Sequence, residues 1–263
     1  MKILKYIGLL LLLGVIIYMG VFKERKVVVI ENPYQTDETL GEDADSLDQP
    51  YVPLENNPSW ENEESKFFKI TYELSDIKDE SAKLDVDRFV SDRVSQFKNE
   101  ANFESLSEGD IEALGFNRGM KYTLDFSFEL KESEFIKSYI LKTAVFTGGA
   151  HGNLEVLSFN YEKETGKRLG LKDVFKKSPA EYLPTLSAQG LASLSSKKEY
   201  EGLVSYEGLT PETTNWSVWY TTNDSLNFIF QTYQVVPYAY GTPEVSIKAK
   251  DISNLINEEY FAN

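Results

Sequence analysis

Cysteine is absent from the 263-residue chain, and histidine occurs once, at His151. Without cysteine there are no disulfides, thiolate nucleophiles, iron–sulfur clusters or cysteine zinc sites. The compartment stays open, because oxidising surroundings permit disulfides without requiring them. A single histidine removes most metal and triad chemistries that set His beside a second His or a Cys, so neither metal nor cofactor is expected. Positive charge is also scarce: 27 Lys and Arg stand against 42 Asp and Glu, a net charge of −15. Nucleic acid is therefore not an expected partner, since phosphate binding needs clustered Lys and Arg. A cationic partner is favoured, with the attraction acting mostly on encounter rate. At 41% hydrophobic and 26% charged, the composition is that of a globular protein.

The long uncharged run is residues 6–22, YIGLLLLLGVIIYMGVF, between Lys5 and Lys23. As a helix it is about 26 Å long. That spans a hydrocarbon core of about 30 Å if the flanking lysines snorkel. It ends in Tyr18-Met19-Gly20-Val21-Phe22, which offers no small-residue cleavage site. Residues 1–26 are thus expected to be an uncleaved anchor in the lipid bilayer. Basic residues on both sides leave its orientation nearly tied.

Residues 31–65 hold eleven acidic residues, four prolines and no Lys or Arg. Such a stretch buries too little apolar surface to offset its ordering entropy, so residues 27–65 read as a disordered tether. A flexible chain of that length spans on the order of 30–35 Å. An acidic lure for a basic partner is the alternative. Twelve acidic and five basic residues precede Lys66, leaving 30 against 22 and a net charge of −8 for residues 66–263.

That remainder reads as α+β, an antiparallel sheet with about three packed helices. Phe68, Ile70, Tyr72 and Leu74 alternate as a half-buried strand does, and so do Tyr122, Leu124, Phe126, Phe128 and Leu130. A second strand around residues 138–146 completes a hairpin, and residues 153–161 form another strand. Between residues 84 and 101 the period becomes helical: Val86, Val90, Val94, Phe97 and Ala101 share a face, while Asp85, Asp87, Asp92 and Lys98 point away. A second helix is expected over residues 179–196, with Pro179 at its start and Pro184 and Gly190 weakening it. Strands are expected at residues 217–220, 226–230 and 245–247. A final helix over residues 251–257 is expected to be capped by Asp251.

Three stretches now line up in order: Val145-Phe146-Thr147-Gly148-Gly149-Ala150-His151-Gly152; Asn160-Tyr161 with Thr165-Gly166-Lys167 and Leu169 to Phe175; and Phe230 with Tyr233-Gln234-Val235-Val236-Pro237-Tyr238-Ala239-Tyr240-Gly241. Together they resemble the extracytoplasmic module shared by RsiV-type anti-sigma factors and PdaC-type peptidoglycan deacetylases of bacteria. The likeness covers residues 66–263, in halves of about 66–170 and 171–263. It implies a module outside the cell membrane with Met1 in the cytoplasm. It also implies lysozyme binding, as in the anti-sigma members. The sigma-binding and deacetylase domains of those families have no counterpart here, so the expectation is the binding module alone on its anchor, without enzymatic activity.

The resemblance draws attention to two loops. In Pro237-Tyr238-Ala239-Tyr240-Gly241, proline limits the unbound ensemble and two tyrosines offer contact area at low entropy cost. In Gly148-Gly149-Ala150-His151-Gly152, glycines permit positive φ and close backbone approach. The plainer alternative for both is a strand connection. Trp216, Trp219 and Tyr220 are candidates for stacking on cell-wall glycan, or else sheet residues turned inward. Lysozyme or another basic wall-active protein is the leading ligand. Peptidoglycan is the second, and an unrecognised hydrolase a distant third.

Overall fold

A computed structural model describes residues 60–262. The expected anchor, and the tether up to residue 59, lie outside the described residues. Among the described residues no helix is long and apolar enough to cross a membrane.

The fold is α+β, with two sheets and three α-helices among the described residues. Six strands form the first sheet in chain order: β1 (Glu63–Glu64), β2 (Phe68–Glu73), β3 (Tyr122–Glu132), β4 (Ile136–Phe146), β5 (Asn153–Glu162) and β6 (Arg168–Leu169). The β3–β4 hairpin runs in unbroken register from Thr123 opposite Phe146 to Glu132 opposite Lys137. Its alternating residues place Leu124 and Phe126 in the core, as the period of two requires.

Three expectations about the elements are corrected. First, β2 pairs with β3 in parallel, so the sheet is mixed. The reason is the helix between them, α1 (Glu80–Ala101), which carries the chain back to the same end of the sheet. Second, the sheet begins inside the segment expected to be a tether. Glu63 and Glu64 pair with Ile70 and Lys69, and their carboxylates meet Lys98 and Lys121. Local neutralisation lets an acidic stretch join a sheet edge. Third, the final helix is replaced by two 3-10 turns, Ala249–Ile252 and Glu258–Tyr260. Asp251 lies inside the first turn instead of capping a helix, although Ile252, Leu255 and Ile256 are buried as expected. A short helix that periodicity did not indicate, α2 (Glu108–Ala113), is held by a reciprocal capping pair between Ser107 and Asp110.

Helix α1 buries Ala82, Val86, Phe89, Val90 and Phe97 against one face of the first sheet. Tyr161 on β5 donates to Asp85 of α1 at 2.6 Å, and Arg93 approaches Glu155 of β5 at 3.6 Å. Burial raises the Glu155 carboxyl above its ordinary range, and Arg93 opposes the shift.

Asp87, expected to point away, is buried beside Trp60 and Lys83. Its Oδ1 has no hydrogen-bond partner among the described residues. Burial raises its pKa against the pull of Lys83 and Trp60. A raised folded-state pKa means that stability falls as pH climbs from the unfolded value through the folded one. Asp87→Asn removes that loss. The melting temperature at pH 7 should rise by about 2–4 °C for a gain of about 1 kcal/mol. Below the ordinary aspartate range, about pH 3.5, the two proteins should melt together. A variant less stable at pH 7 contradicts this.

The second sheet, β7 (Trp219–Thr221), β8 (Ser225–Ile229) and β9 (Glu244–Lys248), is antiparallel. It lies on the opposite face of β4 and β5, where Ile140 and Val156 pack against Val218 and Tyr220. The Ser158 hydroxyl accepts from the Trp219 backbone N–H at 3.0 Å. Helix α3 (Pro179–Ser195) packs against β9. Glu181 caps it by accepting from the Ser178 N–H and hydroxyl at 3.1 and 2.9 Å, and these bonds hold the carboxyl below its usual range. Gly190, which weakens a helix in isolation, leaves room here for Trp216: a Cβ would stand 2.7 Å from the indole.

Candidate binding site

Two loops far apart in sequence meet. The first joins β4 to β5. Gly148 and Gly149 adopt φ of +90° and +100°, the left-handed region that glycine enters without strain. Gly152 passes so close to β4 that a Cβ would stand 2.9 Å from the Val145 carbonyl oxygen. This tight closure presents His151 on the surface.

The second loop, residues 230–243, joins β8 to β9 and is fixed by two glutamines. The Gln231 amide donates to the Val156 carbonyl at 2.6 Å and accepts from the Val156 N–H at 2.9 Å, so the side chain pairs with β5 as a strand would. Gln234 donates to the carbonyls of Gly208 and Asn215, each at 3.0 Å, and accepts from the Gln231 N–H at 2.9 Å. With Val235 and Val236 buried, the 3-10 turn Tyr238–Tyr240 is held against the first loop.

The contact is aromatic. The rings of His151 and Tyr238 stack at 4.0 Å with 23° between their planes. The Tyr238 hydroxyl donates to the Gly152 carbonyl at 2.9 Å. His151 Nδ1 lies 2.8 Å from the same carbonyl. A carbonyl oxygen only accepts, so Nδ1 is the donor in this contact. Nε2 faces the Tyr233 hydroxyl at 3.4 Å. Tyr233, at φ +68°, extends the group, its ring 5.3 Å from that of Tyr238.

The structure therefore brings Gly148, Gly149 and His151 together with Tyr238. Pro237, Ala239 and Tyr240 lie exposed on the same turn, which Gly241 closes at φ +68°. Tyr233 was missed as a site residue although it stands in the quoted loop. Gln231 was missed too, and nothing local to it marks a side chain that pairs with a strand.

The proposed glycan-stacking trio is corrected. Trp216, Trp219 and Tyr220 are all buried. Trp216 packs edge-on against Phe228 and Phe230 at 4.9 and 5.4 Å and donates its indole N–H to the Thr210 carbonyl at 3.1 Å. The Tyr220 hydroxyl is held by Glu244. None of the three offers a free ring face, because the large apolar area that suits a sugar suits a core equally. Among the described residues no three His, Cys, Asp or Glu converge as a metal site.

Comparison with known proteins bears on the half that holds the second loop. Residues 172–250 match the family described as "Protein of unknown function (DUF3298)". The DUF3298 stretch contains α3, the second sheet and the Gln231–Gly241 loop. A curated relative, the peptidoglycan-N-acetylmuramic acid deacetylase PdaC of Bacillus subtilis, is 24% identical over 200 residues. The alignment takes in 75% of this chain and 41% of that protein, so the chain spans well under half of the relative's length. Two crystal structures are similar. A DUF3298 family protein from Pseudomonas aeruginosa aligns at 20% identity over 60% of this chain and 72% of its own, with a TM-score of 0.45. A member from Bacteroides fragilis aligns at 17% identity over 65% and 69%, with a TM-score of 0.48.

Proposed function

We propose that this chain is a non-catalytic binding module of the bacterial cell envelope. In this reading residues 6–22 anchor it in the cell membrane, Met1 is cytoplasmic and the domain stands outside. The ligand face is the surface made by His151, Tyr233 and residues 237–241. The observation that carries this reading is the His151–Tyr238 stack, which joins two exposed loops that each connect strands of a different sheet. A connection serving the chain's path alone needs no exposed aromatic cluster. The relationship to a protein named as a peptidoglycan deacetylase supports a ligand of the wall. The net charge of −8 on residues 66–263 supports approach by a basic wall-active protein such as lysozyme.

The test is retention of the purified full chain on two matrices, immobilised lysozyme and purified cell walls. Retention on either, abolished by Tyr238→Ala, supports the reading. Passage through both without delay overturns it.

A further inference from the structure

The aromatic surface extends beyond the two loops. Tyr233, Tyr206 and Tyr240 are 60%, 53% and 40% exposed. The last two come from segments laced together. The Ser205 N–H donates to the Val235 carbonyl at 2.8 Å, and Tyr200 meets Tyr240 edge-on at 5.6 Å. Gly208 lies so close to the Gln234 backbone that a methyl there would overlap its carbonyl oxygen. Among the described residues the hydroxyls of Tyr206 and Tyr240 make no hydrogen bond.

Charge is missing from the two loops, whereas the segment that carries Tyr206 places Glu207 beside it. Neither residues 147–152 nor residues 231–243 include a Lys, Arg, Asp or Glu, in a chain that is 26% charged. A basic protein gripped by direct ion pairs needs carboxylates at the contact, and these loops have none. What they offer is tyrosine: a flat apolar ring with a hydrogen-bonding tip, held in place before the ligand arrives. That combination matches the alternating apolar faces and hydroxyl edges of a pyranose ring.

We infer that this surface binds an uncharged stretch of sugar chain by stacking on Tyr233, Tyr206 and Tyr240. The inference rests on the proposed binding role and names its ligand class. The negative charge elsewhere on the domain then plays no part in the contact, and binding is insensitive to salt.

The experiment is calorimetric titration of the full chain, in non-ionic detergent, with a neutral β-1,4-linked N-acetylglucosamine hexamer. The arms are wild type, Tyr206→Ala and Tyr240→Ala, with lysozyme as a second titrant. Both tyrosines are exposed, so circular dichroism should show both variants folded. The expected result is binding of the hexamer that is unchanged between about 0.05 and 0.5 M salt and weakened about tenfold in each variant. Failure of the wild type to bind millimolar hexamer overturns the inference, as does equal binding by all three proteins. If lysozyme binds instead, with marked salt dependence and loss in the variants, the surface remains the ligand face and the sugar assignment alone falls.

Discussion

Trp216→Ala should cost about 3–5 kcal/mol, the range for removing a large buried aromatic. The indole is fully buried, closes against Gly190 of α3 and packs edge-on against Phe228 and Phe230. Its N–H donates to the Thr210 carbonyl, which also accepts from the Glu212 N–H at 2.7 Å, so the loss comes from packing and not from a stranded polar group. No small rearrangement fills the space, because the facing helix position is a glycine. Stabilities of ordinary domains are about 5–15 kcal/mol, so the loss takes much of the total. Urea denaturation followed by circular dichroism checks it. A midpoint within error of wild type would place the indole outside the core.

Tyr238→Ala should weaken ligand binding by about thirtyfold, the effect of removing a central aromatic contact worth about 2 kcal/mol. Tyr238 is half-buried, and its ring is the middle member of the His151–Tyr238–Tyr233 group. Truncation removes the stack that holds His151 in place and the hydroxyl that donates to Gly152. Tyr238→Phe separates the two contributions, since it keeps the ring and loses the bond. If the ring carries the effect, Phe should stay within about threefold of wild type, under 1 kcal/mol. Dissociation measured on immobilised wall material or lysozyme should speed up in the Ala variant while melting stays cooperative. Unchanged dissociation returns Tyr238 to a structural role.

Much of the fold was legible because period is a local property. The strand from Tyr122 and the helical spacing from Val86 to Phe97 each recur in the structure, although the buried alternation holds at Leu124 and Phe126 and ends with Leu130 exposed near the hairpin tip. Strand direction is not local. Periodicity is the same for parallel and antiparallel pairs, so β2 was assigned to an antiparallel sheet, although a strand–helix–strand order already argues for parallel pairing. Burial of Asp87 depends on Trp60, 27 positions earlier and outside the helical window. The site divides the same way. The glycines around His151 and the Pro-Tyr loop stood out by composition, and their stacking brings together residues 87 positions apart. Trp216 and Trp219 misled because aromatic rings favour cores and sugar sites for the same reason, their large apolar area.

Hydrogen exchange of the full chain, alone and saturated with solubilised cell-wall fragments or with lysozyme, tests the ligand face most directly. The account predicts slowed exchange at the amides of residues 147–152 and 231–243, with α1 unchanged. Protection confined to the outer face of α1 or to the acidic segment, with both loops exchanging as in the free protein, would contradict it.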